Sequence, residues 1–481
     1  MNFAVVIYIL GWILSIEACL LLVPIICALV YAETQGYIYL ILALVTGAIG
    51  ALLVLNKPKD TQFFAKEGFV SVGLGWILLS MVGAVPFVLT GEIPSFIDAL
   101  FETVSGFTTT GSSILNDVES LCRCSTMWRS FTHWIGGMGV FVFLLSVFPM
   151  MGSYNMHLMQ AESPGPSVGK LVPRMRDSAK ILYTIYIVLT LAMFLIQLPF
   201  GMPVFDSICN SFATAGTGGF GIKSDSMNSY SPAIQWITTI FMIIFGVNFN
   251  FYYYLLGKNK KLVFKMEDVR WYFIIIASAI TLIVINVRHM FISFEDTLRN
   301  VSFSVASVIT TTGYGTSDFD LWPSFSKTIL VFLMFIGACA GSTGGGIKVS
   351  RFIIMFKVVR QEIVSFIHPR SVKVITMDGK ALDKNVTKSV IVFISLYVFV
   401  FAASLIIITL DGFDMTTNFT AVAATLNNIG PGLNAVGPTQ NFAGFSDISK
   451  VIFIFDMLAG RLELFPILVL FSPSLWKKRS K

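Results

Sequence analysis

Four stretches of this chain place threonine, asparagine and glycine in a common frame. They read DALFETVSGFTTTGSS from Asp98, DSICNSFATAGTGGFG from Asp206, NVSFSVASVITTTGYG from Asn300 and TNFTAVAATLNNIGPG from Thr417. Aligned, they set Thr109, Thr110 and Gly111 against Thr217, Gly218 and Gly219, against Thr311, Thr312 and Gly313, and against Asn428, Ile429 and Gly430. The candidate glycines, Gly111, Gly219, Gly313 and Gly430, are 108, 94 and 117 residues apart. A single loop of this kind is most simply a turn between helices; four in-frame copies argue against that. The chemistry open to them is to replace the water shell of a monovalent cation. Rings of backbone carbonyls do this, glycine permits the angles that aim successive carbonyls one way, and threonine adds a hydroxyl. No carboxylate stands at these places, so the field would come from dipoles. A divalent site usually recruits Asp or Glu. The expected ion is K⁺.

The elements that must hold these loops are membrane spans. Of 481 residues, 55% are hydrophobic and only 12% charged, against about one quarter charged in soluble domains. A spanning helix needs roughly 20 apolar residues. The qualifying segments are roughly 3–31, 36–55, 69–90, 128–151, 181–200, 233–256, 271–287, 326–356, 389–410 and 449–471, ten in all. Met1 to Val30 is too long for a signal-peptide core and lacks a basic start, so it reads as a retained span. Each glycine loop lies between two spans, behind a run too short to cross, giving span, short half-helix, extended loop, span. Irregular backbone at membrane depth is tolerated only when buried in protein or lining a watery cavity. The expected fold is an all-α polytopic membrane protein with four pseudo-fourfold span–pore-loop–span repeats around one pore, plus two extra N-terminal spans. The expected divisions are 1–64 for the N-terminal pair, 65–160, 161–262 and 263–370 for repeats one to three, and 371–481 for repeat four with a basic tail. Asp98, Asp206 and Asn300 are read as N-caps of the half-helices. Glu102 is read either structurally or as an outer-side cation attractor.

The formal charge of +6 would suit nucleic acid until the charges are placed. With both termini inside, the inner segments carry 25 of the 33 Lys and Arg. That is the positive-inside pattern, and no nucleic-acid partner is expected. The six cysteines show no zinc-ligand spacing, and Cys122 and Cys124 are too close in sequence for an easy disulfide.

Span 326–356 contains GACAGSTGGGIK, Gly337 to Lys348. Each helical glycine costs on the order of 1 kcal/mol against alanine, so the span is expected to unwind. Gly341, Ser342, Thr343, Gly344, Gly345 and Gly346 would form a loop below the glycine loops, a candidate gate. Close helix packing through small residues is the alternative. Arg461 lies near the middle of the last span, where an arginine is expensive and marks function by default. The carbonyls ending the helix before Gly341 are its expected partners, Glu463 a poor one. It could equally tether two repeats. His133, in HWIGGMGVFVF, reads as packed, and GPSVGK, Gly165 to Lys170, as a very weak nucleotide motif.

Taken together, TTTGSS, TGGFG, TTTGYG, NNIGPG, the HWIGGMG run, the glycine loop and AGRLELFP resemble the Trk/Ktr/HKT cation transporters, over about residues 65–475. The two additional N-terminal spans match the Trk branch. The resemblance implies potassium uptake across a bacterial inner membrane and a homodimer with one pore per chain. It implies K⁺ selectivity at the loops named above, and a gating loop, Gly341 to Lys348, opposed by Arg461. It also implies a cytoplasmic TrkA-like ring that binds ATP/ADP or NAD(H), with no nucleotide on this chain itself. The basic inner loops 257–270 and 357–388 are its expected dock, and lipid the remaining partner. Gly111 at the first loop favours potassium over sodium by the same resemblance. Repeats two and four depart from it in lacking a complete TTG. Coupled H⁺ or Na⁺ symport is the alternative, kept open by Glu17 and Asp456. No nucleophile–base pair or metal cluster at membrane depth suggests an enzyme.

Overall fold

A bilayer offers no water to a backbone amide, so long apolar runs fold as helices that close their own hydrogen bonds. The computed structural model describes residues 1–58, 63–139, 175–257, 260–368 and 374–476. The latter half of the expected span 128–151, the Gly165–Lys170 string, much of the basic tail and two of the expected division points lie outside the described residues.

The N-terminal pair is α1 (Phe3–Leu20), continued by α2 (Leu22–Tyr31), and α3 (Gly36–Leu55). Small residues bring α1 and α3 together: a Cβ at Gly50 would lie 2.7 Å from the Ser15 backbone nitrogen. The far side of α3 exposes Ile41, Leu44, Leu52 and Leu55. A helix apolar all round with one open face belongs against lipid.

Behind this pair come α4 (Ala65–Leu89), α5 (Phe96–Phe107), α6 (Arg123–Met138), α7 (Met175–Gln197), α8 (Val204–Ala215), α9 (Pro232–Phe245) and α10 (Phe249–Leu256). The rest of the helical frame is α11 (Glu267–Val287), α12 (Phe294–Ile309), α13 (Ser324–Ile336), α14 (Val349–Ile367), α15 (Lys384–Ile408), α16 (Met415–Leu426), α17 (Asp447–Arg461) and α18 (Phe465–Leu470). A two-residue hairpin, β1 (Thr376–Met377) with β2 (Lys380–Ala381), is the strand structure among the described residues.

Six of the described helical segments are long and apolar enough to cross a membrane, and a seventh counts if the bent pair α9/α10 is one span. The chain is a multi-pass membrane protein. Of the four remaining expected spans, each the second of its expected unit, three are interrupted within the described residues, and the first is described only as far as Gly139. Helix α6 ends at Met138 before Gly139 (φ +81°). A 90° bend separates α9 from α10. Helix α13 ends at Gly337 (φ +69°), and helix resumes only at Val349. Helix α17 ends at Arg461, with Glu463 and Leu464 at φ +56° and +68° before α18.

The short helices α5, α8 and α12 start at residues other than the expected Asp98, Asp206 and Asn300. Side chains of Ser95, Ser293 and Asp414 accept from the backbone N–H three residues on, capping α5, α12 and α16. Pro203 precedes α8. Asp98 instead pairs with Lys450 at 2.6 Å, Asp206 accepts from Tyr230 Oη at 2.7 Å, and Asn300 bonds back to the Asp296 carbonyl at 2.9 Å. A shared offset from the glycine placed these three correctly on the helices but not at their ends.

Candidate functional site

Each short helix stops the same way. Thr110 N–H reaches the Ser105 carbonyl (2.9 Å) and Thr109 N–H that of Gly106 (3.1 Å). The equivalent bonds run from Gly218 to Ala213 (2.8 Å) and Thr217 to Thr214 (3.0 Å), and from Thr312 to Ser307 (2.8 Å) and Thr311 to Val308 (3.1 Å). In the fourth copy they run from Ile429 to Ala424 (2.9 Å) and Asn428 to Thr425 (3.2 Å). This is a Schellman cap, whose left-handed residue is usually glycine or asparagine. Here it is Thr109 (φ +55°), Thr217 (+54°), Thr311 (+59°) and Asn428 (+54°). A β-branched residue in that region is a genuine outlier, and three of the four loops carry one. Two residues on, Gly111, Gly219, Gly313 and Gly430 are left-handed again, at +80°, +76°, +83° and +100°. In a strand successive residues point to opposite sides; a left-handed residue at every second place breaks that alternation. NNIGPG reaches the same backbone as TTTGSS without sharing its side chains.

The four loops meet one another in order. A Cβ placed on Gly111 would overlap the Gly218 carbonyl oxygen, one on Gly219 that of Thr312, and one on Gly313 that of Ile429. The circuit closes at Gly430, whose Cβ would lie 3.0 Å from the Thr110 carbonyl oxygen. All four glycines line one cavity of about 130 Å³, together with Ser112, Phe220 and Pro431.

The threonine hydroxyls are occupied elsewhere. Thr108 Oγ1 donates to the Val104 carbonyl (2.6 Å) and lies 2.8 Å from Thr110 Oγ1; Thr310 and Thr312 repeat this at 2.7 Å and 2.7 Å. Thr110 Oγ1 also accepts from Asn428 Nδ2 at 2.9 Å. These hydroxyls fasten the loops to their helices and, through Asn428, to one another.

The stretch Gly337–Lys348 leaves the helix and docks beneath the third and fourth loops. Gly345 N–H donates to Thr311 Oγ1 at 2.5 Å and Gly346 N–H to the Asn427 carbonyl at 3.0 Å. A Cβ on Gly344 would lie 2.9 Å from the Thr310 carbonyl oxygen. The α9/α10 bend receives the same stretch: Cys339 N–H donates to the Gly246 carbonyl (3.1 Å) and Phe249 N–H to that of Gly341 (2.9 Å). Ser342 Oγ donates to the Cys339 carbonyl at 2.7 Å, and Lys348 Nζ reaches back to the Gly344 carbonyl.

Arg461 sits at the centre of these contacts. Its Nη1 donates to Thr109 Oγ1 (3.0 Å) and the Thr343 carbonyl (2.9 Å), and its Nη2 to the carbonyls of Gly136 (2.5 Å) and Gly137 (2.7 Å). The expected partners, carbonyls before Gly341, are replaced by one inside the glycine stretch and two at the end of α6. A helix end collects unpaired carbonyls and partial negative charge, so the guanidinium goes there. Glu463 pairs instead with Arg351.

His133 is buried between the first and second loops. Its Nε2 accepts from Phe220 N–H at 3.3 Å, so Nδ1 carries the proton and donates to the Gly106 carbonyl 2.8 Å away. Among the described residues, Glu33, Cys122 and Cys124 bring three ligand-type atoms within 4.8 Å of one another. The Glu33 oxygens there accept from Arg123 N–H (2.7 Å) and Cys124 N–H (2.8 Å), which makes Glu33 a cap for α6.

A family model described as TrkH, cation transport protein, matches residues 33–478. The Trk system potassium uptake protein TrkH of Salmonella typhimurium is 37% identical over 99% of this chain and 100% of its own length. The Trk system potassium uptake protein TrkG of Escherichia coli is 32% identical over 98% of each. The crystal structure of the potassium transporter TrkH from Vibrio parahaemolyticus superposes with a TM-score of 0.89 at 33% identity, covering 99% of this chain and all of that one.

Proposed function

This chain belongs to the TrkH family of cation transport proteins, a transporter family rather than an enzyme family, and from that premise we propose that it takes potassium into the cell through a passage walled by its own four glycine loops. The observation that carries this reading is the closed circuit of Gly111, Gly219, Gly313 and Gly430 around one cavity, each packed against a carbonyl of the next loop. Carbonyl dipoles suit an ion that must shed water, bind and leave again. The short helices aim their C-terminal ends toward the loops, adding partial negative charge where a cation pauses. A membrane potential supplies about 2.3 kcal/mol per charge per 100 mV, roughly fiftyfold accumulation.

In this reading Gly341–Lys348 is the gate beneath the passage, and Arg461 is the latch joining it to the first loop. Regulation belongs to a cytoplasmic nucleotide-binding ring, docking on the inner segments 257–270 and 357–388, and the working unit is a homodimer in the inner membrane with both termini inside. Coupled symport is a second reading, favoured by two acids without full partners: neither oxygen of buried Glu17 has a hydrogen bond, and Asp456 uses one oxygen on Ser404 at 2.7 Å.

The test is rubidium flux into liposomes holding the purified chain. Flux that follows the imposed voltage, ignores a pH or Na⁺ gradient and is lost in Gly313→Ala supports the passage. Flux that follows the pH gradient and is abolished by Asp456→Asn supports symport instead. Voltage-driven flux untouched by Gly313→Ala rejects the glycine loops as the path.

A further inference from the structure

The seam between the first and second loops is held unlike the other three. We propose that the buried pair Glu102–Arg129 is a positioning device that sets potassium-over-sodium discrimination by fixing the shape of these two loops; this rests on reading the loops as the ion path.

Glu102 lies on α5 and Arg129 on α6, with side chains at most 3% exposed. The carboxylate is fully engaged. Its Oε1 accepts from Arg129 Nε at 2.6 Å and Ser113 Oγ at 3.0 Å, and its Oε2 from Ile114 N–H at 3.0 Å. Ser113 and Ile114 form the exit of the first loop, just past Gly111. The guanidinium reaches the exit of the second: Nη1 donates to the Gly221 carbonyl at 2.9 Å, and its carbon stands 3.5 Å from the Phe220 ring centroid. His133, one turn along α6, holds Phe220 N–H from the other side. One helix thus presents two side chains that grip the second loop, while the carboxylate grips the first. Glu102 is no outer-side cation attractor: its charge is sealed in and spent on Arg129.

The other seams are held by hydrogen bonds and, between the fourth and first, also by the less buried pair Asp98–Lys450 and by Arg461 on Thr109. Between the second and third loops, Met227 N–H meets the Gly315 carbonyl (3.0 Å) and Gly315 N–H meets Ser226 Oγ (3.2 Å). Between the third and fourth, Asn434 N–H reaches the Asp320 carboxylate at 3.0 Å in an exposed setting. Between the fourth and first, Phe442 N–H donates to the Ser113 carbonyl (2.9 Å) and Ser112 Oγ to that of Gly430 (3.1 Å). Among the described residues no other ion pair has both side chains as buried as Glu102 and Arg129.

Why this bears on selectivity is geometric. Na⁺ and K⁺ carry the same charge, so carbonyls tell them apart only by where the oxygens stand and how firmly. A guanidinium is a rigid planar fork, and a buried ion pair resists opening because either partner alone is an uncompensated charge. Such a brace keeps two of the four walls from collapsing onto the smaller ion.

The experiment measures the potassium-to-sodium flux ratio in liposomes for Glu102→Gln and Arg129→Lys, beside wild type and Gly313→Ala. Gln keeps the shape and drops the charge; Lys keeps the charge and drops the fork. The expected result is a flux ratio at least tenfold lower in each, with potassium flux itself retained and Glu102→Asp recovering part of the ratio. If a single variant does not assemble, Glu102→Gln/Arg129→Gln, which leaves neither charge alone, is expected to assemble and to show the same low ratio. A wild-type ratio in assembled Glu102→Gln, Arg129→Lys or the double variant, even at reduced yield, overturns the proposal, because a merely structural pair would lower yield and leave discrimination intact. Wild-type flux that survives Gly313→Ala would reject the ion path itself, which separates the two failures.

Discussion

The long helix that precedes each glycine loop is unbroken, and the helix that follows each loop is short. Helices α4, α7, α11 and α15 run for 25, 23, 21 and 25 residues. Helices α6, α9, α13 and α17 stop after 16, 14, 13 and 15. Helices α7, α11 and α15 turn Val188, Leu191, Ile285, Phe399 and Ile406 outward, exposed, where a backbone has no partner but itself, while α4 is packed among its neighbours. Helices α6, α9, α13 and α17 each end where the freed backbone groups meet a partner from elsewhere in the fold. The Gly136 and Gly137 carbonyls go to Arg461, the Gly246 carbonyl to Cys339, and the Ala338 carbonyl to Val349 N–H at 3.1 Å. Helical continuity is kept where lipid enforces it and given up where the interior can satisfy the backbone and use the freedom.

This contrast can be broken by substitutions of graded severity. The largest effect belongs to Gly313→Ala, at the ring that the broken spans surround. It combines a left-handed φ of +83° with a Cβ overlapping the Ile429 carbonyl. Strained backbone of this kind costs about 1–3 kcal/mol, and with the overlap rubidium uptake should fall by at least about a hundredfold at equal membrane level. Next is Arg461→Gln, which strips hydrogen bonds from the end of α6, the glycine stretch and the first loop. Bonds to charged groups contribute roughly 1.5–3 kcal/mol; the midpoint of thermal unfolding in detergent should drop by several degrees, with Arg461→Lys recovering part.

A smaller effect is expected at the α9/α10 bend, where Asn248 caps α10 by accepting from Asn250 N–H at 3.0 Å. Asn248→Ala should cost about 1 kcal/mol, seen as lowered thermal stability with uptake within about threefold of wild type. The smallest is Leu191→Ala on the lipid side of α7. Surface substitutions usually stay within about 0.5 kcal/mol, and both uptake and stability should match wild type. If Leu191→Ala equalled Asn248→Ala in effect, the distinction between outer and inner spans would be lost.

The outer spans were legible because one physical demand, burial of twenty apolar residues in lipid, writes itself directly into composition. The interruption at Gly337 was legible for the opposite reason: GACAGSTGGGIK cannot hold a helix. The break after Phe245 was not, since GVN carries a single glycine and the bend is completed by a contact from Gly341, nearly a hundred residues away. The caps of α5 and α12 were misplaced for a related reason. Ser95 and Ser293 stand three and seven residues ahead of the aligned Asp98 and Asn300, because α12 is four residues longer than α5, and an offset counted from the glycine end cannot see that.

What the sequence settled alone is therefore what short range can settle: apolar length, breakers, the distribution of charge, and a four-times-repeated frame around glycine. What required the tertiary structure is every pairing across units. Arg461 finding Gly136, Glu102 finding Arg129, and Gly430 closing on Thr110 depend on distances set by the packing of helices far apart in the chain, and no local pattern encodes them. A buried charge accepts whichever partner the fold brings within reach, so its identity is readable from composition and its role only from its neighbours.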